Sequence, residues 1–215
     1  LAVLSGVGRE LRQLAGAARA LGDGQAITPL HITRQDELGD LARSFTEMQQ
    51  RLLTDPLTGL ANREALLRRV EDRIVQARRR GDTRPFVVLF ADLNRFKLVN
   101  DRHGHDVGDA VLRELAQRLR GTVRDTDLVA RYAGDEFVIL LESVERRSDA
   151  EAARAHLQQA LLQPLDALKG LDADGLLQGA AFGMAVYPED GQDVEALLKQ
   201  ADADMYKQKS DDTGG

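Results

Sequence analysis

Near residue 54 the hydrophobic pattern changes its period, and that change divides the chain. Before it, apolar residues recur at alternating steps of three and four: Leu4, Val7, Leu11, Leu14, Ala18 and Leu21, then Leu38, Leu41, Phe45, Met48 and Leu52. Such a heptad seam marks helices that bury one narrow stripe against other helices. After it, helical stretches alternate with short apolar runs rich in Val, Ile and Phe, the pattern of helices packed on a sheet. Residues 1–53 therefore read as two helices, and residues 54–215 as an α/β domain.

In the first region "LGDGQ" supplies a glycine-rich stop and Asp36 a side chain able to cap the second helix. The connector "ITPLHITRQ" offers Ile27, Leu30 and Ile32 for packing. Two narrow seams make a poor core for one chain. A parallel four-helix bundle from two chains would bury both, so a homodimer is expected; the plain alternative is a hairpin folded onto the rest of the chain.

In the second region "NREALLRRVEDRIVQARRR", "DVGDAVLRELAQRLRGTV", "DAEAARAHLQQALLQPL" and "VEALLKQADADMYKQKS" carry helical periodicity. "PFVVLFADL" reads as a buried strand, "LVARY" and "FVILL" as a hairpin, and "QGAAFGMAVYP" as a further strand. The pattern predicts an α/β sandwich with a mixed central sheet.

A net charge of −6 leaves no basic field for a polyanion, and 4% aromatic residues with no Trp leave no stacking platform, so nucleic acid is not an expected partner. The absence of cysteine excludes disulfides and thiolate metal sites. No run of eighteen apolar residues spans a membrane, and no secretory signal is visible. Starting at Leu1 and ending "DDTGG", the chain reads as a fragment of a longer protein.

Chemistry concentrates in three places. "RYAGDEF" puts Asp135 and Glu136 at the tip of the hairpin, where a solvated turn is the bland reading and a metal or general-base site the sharper one. Asp92 ends an otherwise apolar strand, where ligands of α/β folds bind; a carboxylate there can hold a hard cation, and Lys97 follows in "LNRFK". Alone, Asp92 reads as a helix cap; with the hairpin acids, a shared cation becomes the better reading. "NDRHGHDVGD" holds Asn100, Asp101, His103, His105, Asp106 and Asp109. An amide and a carboxylate can together read a base with donors and acceptors, as guanine has. Zinc is not expected from two histidines without further ligands, and Asp106 or Asp109 is expected to cap the next helix. No P-loop and no nucleophile-elbow motif occurs.

"PLHITRQDELGDLARSFTEMQQRL" resembles the second half of a HAMP signalling module. "DPLTGLANR", "FADLNRFKLVNDRHGHDVGD", "RYAGDEF", "GMAVYPEDG" and "ADADMYKQK" together resemble, in order and over about 160 residues, the GGDEF family of diguanylate cyclases. That resemblance implies a five-stranded mixed sheet surrounded by helices, similar to nucleotidyl cyclases and polymerase palms. It implies condensation of two GTP into cyclic di-GMP and two pyrophosphates, with Mg²⁺ or Mn²⁺ as cofactor. Metal ligands would be Asp92, the Leu93 carbonyl and Asp135. Asp135, Glu136 and Lys97 would be catalytic; Phe96, Asn100, His105, Asp109 and Lys209 would bind substrate. Arg124 and Asp127 in "RDTD" would form an inhibitory product site; from spacing alone an exposed ion pair at a helix end is the better reading of R-x-x-D.

Three departures from the family pattern stand out. Ala133 replaces the first loop glycine, and because Ala disfavours positive φ the turn is expected to be strained. Asn94 stands where the family often has Asp. "SDDTGG" follows Lys209 where a late arginine is usual. The expectation is a HAMP-linked diguanylate cyclase in the cytoplasm, its full-length protein anchored in the inner membrane. The alternative is a silent module that binds GTP or cyclic di-GMP and signals by contact.

Overall fold

The computed structural model describes residues 2–22, 35–80, 85–171, 177 and 179–212. They form two compact units, Leu1–Thr54 and Asp55–Gly215.

The first unit holds α1 (Ala2–Gly22) and α2 (Glu37–Leu53). The connector 23–34, with its three apolar residues, lies outside the described residues. Asp36 caps α2 as expected, its side chain accepting from the Gly39 N–H at 3.3 Å. Leu14, Gly39 and Ala42 are buried. The α2 seam is treated differently: Leu41, Met48 and Leu52 stay about half exposed in the single chain.

The second unit runs α3 (Arg63–Arg80), β1 (Phe86–Leu93), α4 (Phe96–His103), α5 (His105–Thr122), β2 (Leu128–Ala133), β3 (Glu136–Leu141), α6 (Arg147–Leu161), β4 (Ala180–Tyr187) and α7 (Val194–Asp212). The sheet has four strands among the described residues, not five, in the order β2-β3-β1-β4. Each neighbouring pair is antiparallel. The parallel relations are indirect: β1 and β2 flank β3, β3 and β4 flank β1, and helices make both crossovers, a split β-α-β arrangement. Ala61 adds a single parallel bridge to Ala130.

The alternation of strand side chains sorts the core onto two faces. Val87, Leu89, Ala91 and Leu93 join Phe137, Ile139 and Phe182 beneath α4, α5 and α6. Phe86, Val88 and Phe90 join Val138, Leu140 and Ala185 beneath α3 and α7. In α3 the stripe Leu66, Val70, Ile74 and Ala77 read from the sequence is buried.

Two local readings change. "LNRFKLVNDRHG", which carries no helical stripe in the sequence pattern, has at its centre the two-turn helix α4, anchored by buried Phe96 and Val99. Gly104, at φ 85°, then breaks the chain and starts α5. That glycine takes the N-cap position with no side-chain cap, so neither Asp106 nor Asp109 caps the helix as expected.

α7 lies directly on β4. A Cβ at Gly183 would sit 1.9 Å from the Ala201 carbonyl oxygen and 2.2 Å from the Met205 nitrogen. Both are helix backbone, which cannot swing aside. Gly183→Ala should therefore lower unfolding stability by about 1–3 kcal/mol or more, read from urea denaturation. A change within experimental scatter would mean that α7 is not seated this way.

Candidate active site

The sheet alternation also sorts the acids. Asp92 ends the row Phe86, Val88, Phe90 and so faces α7; its register partner on β3 is Glu136, on the same face. Lys209 of α7 reaches Asp92, Nζ to Oδ1 at 2.6 Å. Asp135 follows Gly134 in a two-residue turn, because Ala133 and Glu136 already pair. Asp92 and Asp135 thus lie at one edge of the sheet, joined through the backbone by Leu93 N donating to the Asp135 carbonyl at 3.4 Å.

Gly134 takes the positive φ, 52°, and Ala133 does not. A bulge between Arg131 and Ala133 absorbs the turn's irregularity instead. The strain expected at Ala133 is therefore absent, and an alanine fits there. The non-glycine residue with positive φ among the described residues is Arg95, at 62°, between Leu93 and Lys97. A left-handed residue opening a helix beside a cleft is the kind of backbone cost found at functional sites.

On the α4–α5 side, Phe96, Lys97, Asn100, His105, Asp109, Leu112, Arg131, Gly134 and Asp135 line a cleft of about 310 Å³. Six residues singled out from the sequence meet there. Asp92, Glu136 and Lys209 gather on the α7 side, and Asp135 at the turn interacts with both groups. The Leu93 side chain is buried in the core, so only its backbone can serve a ligand.

Burial pushes the Asp135 carboxyl above the ordinary aspartate range, and the Asp92 charge adds to that push against Lys209 and Arg131. Glu136 is likewise raised by burial, then by Asp92, Asp135 and Asp202, with Lys209 opposing. Negative charge is thus crowded enough that added positive charge would relieve it. Among the described residues no three His, Cys, Asp or Glu side chains converge into a metal cage. Mg²⁺ and Mn²⁺ prefer oxygen, and Mg²⁺ usually takes one or two carboxylates plus waters and substrate phosphates rather than an all-protein cage. Asp92, Asp135 and the Leu93 carbonyl fit that form of donor set.

Sequence reading missed Arg131, Asp55 and Asp202. Arg131 Nε donates to the Gly134 carbonyl at 2.8 Å, and its NH1 meets both Asp55 oxygens at 3.3 Å. Asp55 also accepts from the Thr58 amide and hydroxyl at 2.9 and 2.6 Å. The available signal was a charge at an inward-facing position of a hairpin strand; its partner lies 76 residues away, beyond any local pattern.

Arg124 and Asp127 lie away from this edge, at the start of β2, roughly 20 Å distant at 3.3 Å per residue. Asp127 is buried, and both its oxygens accept backbone N–H groups, from Glu142 at 3.0 Å and Arg124 at 3.1 Å. Arg124 remains exposed.

Helices over an antiparallel sheet thus carry paired acids at a hairpin tip beside a cleft lined by Lys97, Asn100 and Asp109. Residues 52–214 match the diguanylate cyclase GGDEF domain family and residues 5–54 the HAMP domain family. The chain belongs to the GGDEF family, with a HAMP domain at its N-terminal end. It is 43% identical over 175 residues to the bifunctional diguanylate cyclase/cyclic di-GMP phosphodiesterase MucR of Pseudomonas aeruginosa, covering 81% of this chain and 24% of that protein. It is 36% identical over 161 residues to the response regulator PleD of Caulobacter vibrioides, covering 74% and 34%. The crystal structure of the GGDEF domain of TpbB from Pseudomonas aeruginosa superposes with a TM-score of 0.63 at 36% identity, covering 72% of this chain and 92% of that one. The chain thus spans about a quarter to a third of the curated relatives' length.

Burial alone would raise the Asp55 carboxyl, but the Thr58 bonds and the Arg131 charge outweigh it and hold it below the ordinary value. A depressed carboxyl stabilises above its unfolded pKa and loses that effect as pH falls through the folded one. Asp55→Asn should lower the melting midpoint on the order of 2–4 °C at pH 7. The gap should close as pH falls below about 3.9. A gap that does not change with pH would contradict this role.

Proposed function

We propose that this chain is a diguanylate cyclase that condenses two GTP into cyclic di-GMP and two pyrophosphates. The observation that carries the reading is the meeting, at one sheet edge, of a polar purine-sized cleft and a crowded pair of carboxylates. Asn100 and Asp109 bind the guanine, with Phe96 and His105 bounding the base. The triphosphate runs from this cleft across the sheet edge. There Lys97, the opening N–H groups of α4 and Lys209 offset its charge. These local cations answer how a chain of net charge −6 holds a polyanion.

Bound Mg²⁺ or Mn²⁺, held by Asp92, Asp135 and the Leu93 carbonyl, would neutralise phosphate charge and polarise the α-phosphorus. Asp135 takes the proton of the 3′-hydroxyl presented by the GTP of a second monomer. The freed oxygen forms a bond to the α-phosphorus, the bond to pyrophosphate breaks, and the exchange repeated from the other monomer closes the ring. Lys209 already neutralises Asp92 and is placed to follow the leaving phosphates.

Two monomers must face each other, and residues 1–53 supply the means. The half-exposed stripe Leu41, Met48 and Leu52 of α2 is covered by the same stripe of a second chain in a HAMP-type bundle. α2 ends at Leu53, two residues before the cyclase domain 54–215 reaches Asp55, so bundle rearrangement passes to the cyclase without a linker. Arg124, exposed on its Asp127-clamped turn, binds product phosphate in feedback inhibition. No helix among the described residues is long and apolar enough to cross a membrane; the HAMP-family match supports a role on the cytoplasmic face of an inner-membrane signalling protein.

With GTP and Mg²⁺ the chain should release pyrophosphate and form cyclic di-GMP. Asp135→Asn should lower the rate on the order of 100-fold or more. Tight GTP binding without pyrophosphate release would overturn the assignment and leave a silent binding module. Independently, Leu41→Asp with Leu52→Asp should convert dimer to monomer in sedimentation and reduce turnover roughly in proportion to the dimer lost; an intact dimer would place the interface elsewhere.

A further inference from the structure

Gly108 sits inside α5, at a position where glycine costs helix stability relative to alanine. Its φ is not positive, so the backbone does not require glycine. Space does. A Cβ there would lie 1.9 Å from Asn100 Oδ1, 3.0 Å from Asn100 Cγ and 3.2 Å from Phe96 Cζ. The other described helical glycines that can be compared, Gly8, Gly16 and Gly121, would meet nothing within 4 Å. The room left by the missing side chain is thus filled by the carboxamide of Asn100, whichever way that group is turned, with Phe96 beside it.

We propose that Gly108 is a positioning residue for base recognition: its bare Cα seats the Asn100 carboxamide beside Asp109 and so sets the donor–acceptor pair that selects guanine. This rests on the assignment of Asn100 and Asp109 to the purine. The local architecture supports it. Asn100 belongs to α4 and Asp109 to the next helix, so nothing along one helix fixes their separation. The corner between them does. Gly104 N donates to the Asn100 carbonyl at 2.9 Å, and Gly108 N to the Gly104 carbonyl at 3.3 Å. This pins the Asn100 backbone to the corner, while buried Gly108 receives its side chain. Asp109, the next residue, lines the same cleft as Asn100.

The test is calorimetric binding of GTP and ATP, with Mg²⁺, to the whole chain and three variants. Gly108→Ala should keep the wild-type melting midpoint or exceed it, since the Asn100 side chain can swing away and alanine favours helix. Its Kd for GTP should rise on the order of 10-fold with its weak ATP binding unchanged, so that purine discrimination falls by the same factor. Asn100→Ala should lose discrimination similarly. In the Asn100→Ala background the clash is gone, so adding Gly108→Ala should cost nothing further in GTP affinity. Gly108→Ala with unchanged GTP affinity overturns the inference, as does an additive loss in the double variant. Should Gly108→Ala fail to fold, recovery of folding in the double variant supports the clash with Asn100, and a double variant that also fails overturns it. Asn100→Ala that leaves discrimination intact sinks the guanine assignment itself, a failure separable from the others because it does not involve Gly108.

Discussion

Everything at the candidate site depends on the antiparallel register between β1 and β3. Six successive pairs, from Val87 opposite Leu141 to Asp92 opposite Glu136, are fixed by apolar side chains alternating between two buried faces. A slip of one residue would turn each of those side chains to the wrong face and carry Asp92 with them. The hydrophobic pattern that makes the strand therefore also aims the carboxylate. Acids crowd at that edge because the core places them there, not because they attract one another. Burial first, then the neighbouring acids, raises Asp135 and Glu136, and the Lys209 ammonium on Asp92 opposes the shift.

Lys209 can do this only because α7 lies close to the sheet. Gly183 lets the helix backbone rest where a side chain would otherwise stand. Ala185 and Ala181 keep the same face shallow, and Leu197, Ala201 and Met205 fill it from above. Small strand residues, which weaken a strand taken alone, here determine how near a distant cation comes to an acid.

Legibility followed the same physical lines. Strands and long helices were readable because burial imprints a period on them. The hairpin, the buried β1 and the α3 stripe needed no tertiary knowledge. α4 was not readable: eight residues containing Asn, Asp and His lack the propensity to hold a helix alone, and only Phe96 and Val99 anchoring it to the core make it one. The fifth strand expected from the resemblance is absent among the described residues. Asp92, Lys97, Asn100, Asp109 and Asp135, singled out by sequence, come to one sheet edge, but their division between the two sheet faces was not readable. The Asp55–Arg131 pair was invisible because both members sit in motifs with other evident uses. Ala133 misled in the opposite sense, since the bulge beside it and the positive φ of Gly134 remove the strain that its side chain would have caused.

The two groups of site residues lie on opposite faces of one sheet, and this constrains how a nucleotide can be held. On the proposed assignment, a base beside Asn100 and a terminal phosphate near Lys209 would contact helices on opposite faces: α4 and α5 cover one, α7 the other. The molecule bridging them has to pass over the edge where β1 ends and the Gly134–Asp135 turn projects. That edge is held by few bonds, among them the long Leu93–Asp135 contact and the Arg131 grip on the Gly134 carbonyl. A nucleotide spanning it would add contacts on both sides of the turn and so stabilise the folded state. The β1–β3 register beneath that edge keeps Asp92 and Glu136 opposite each other whatever spans it.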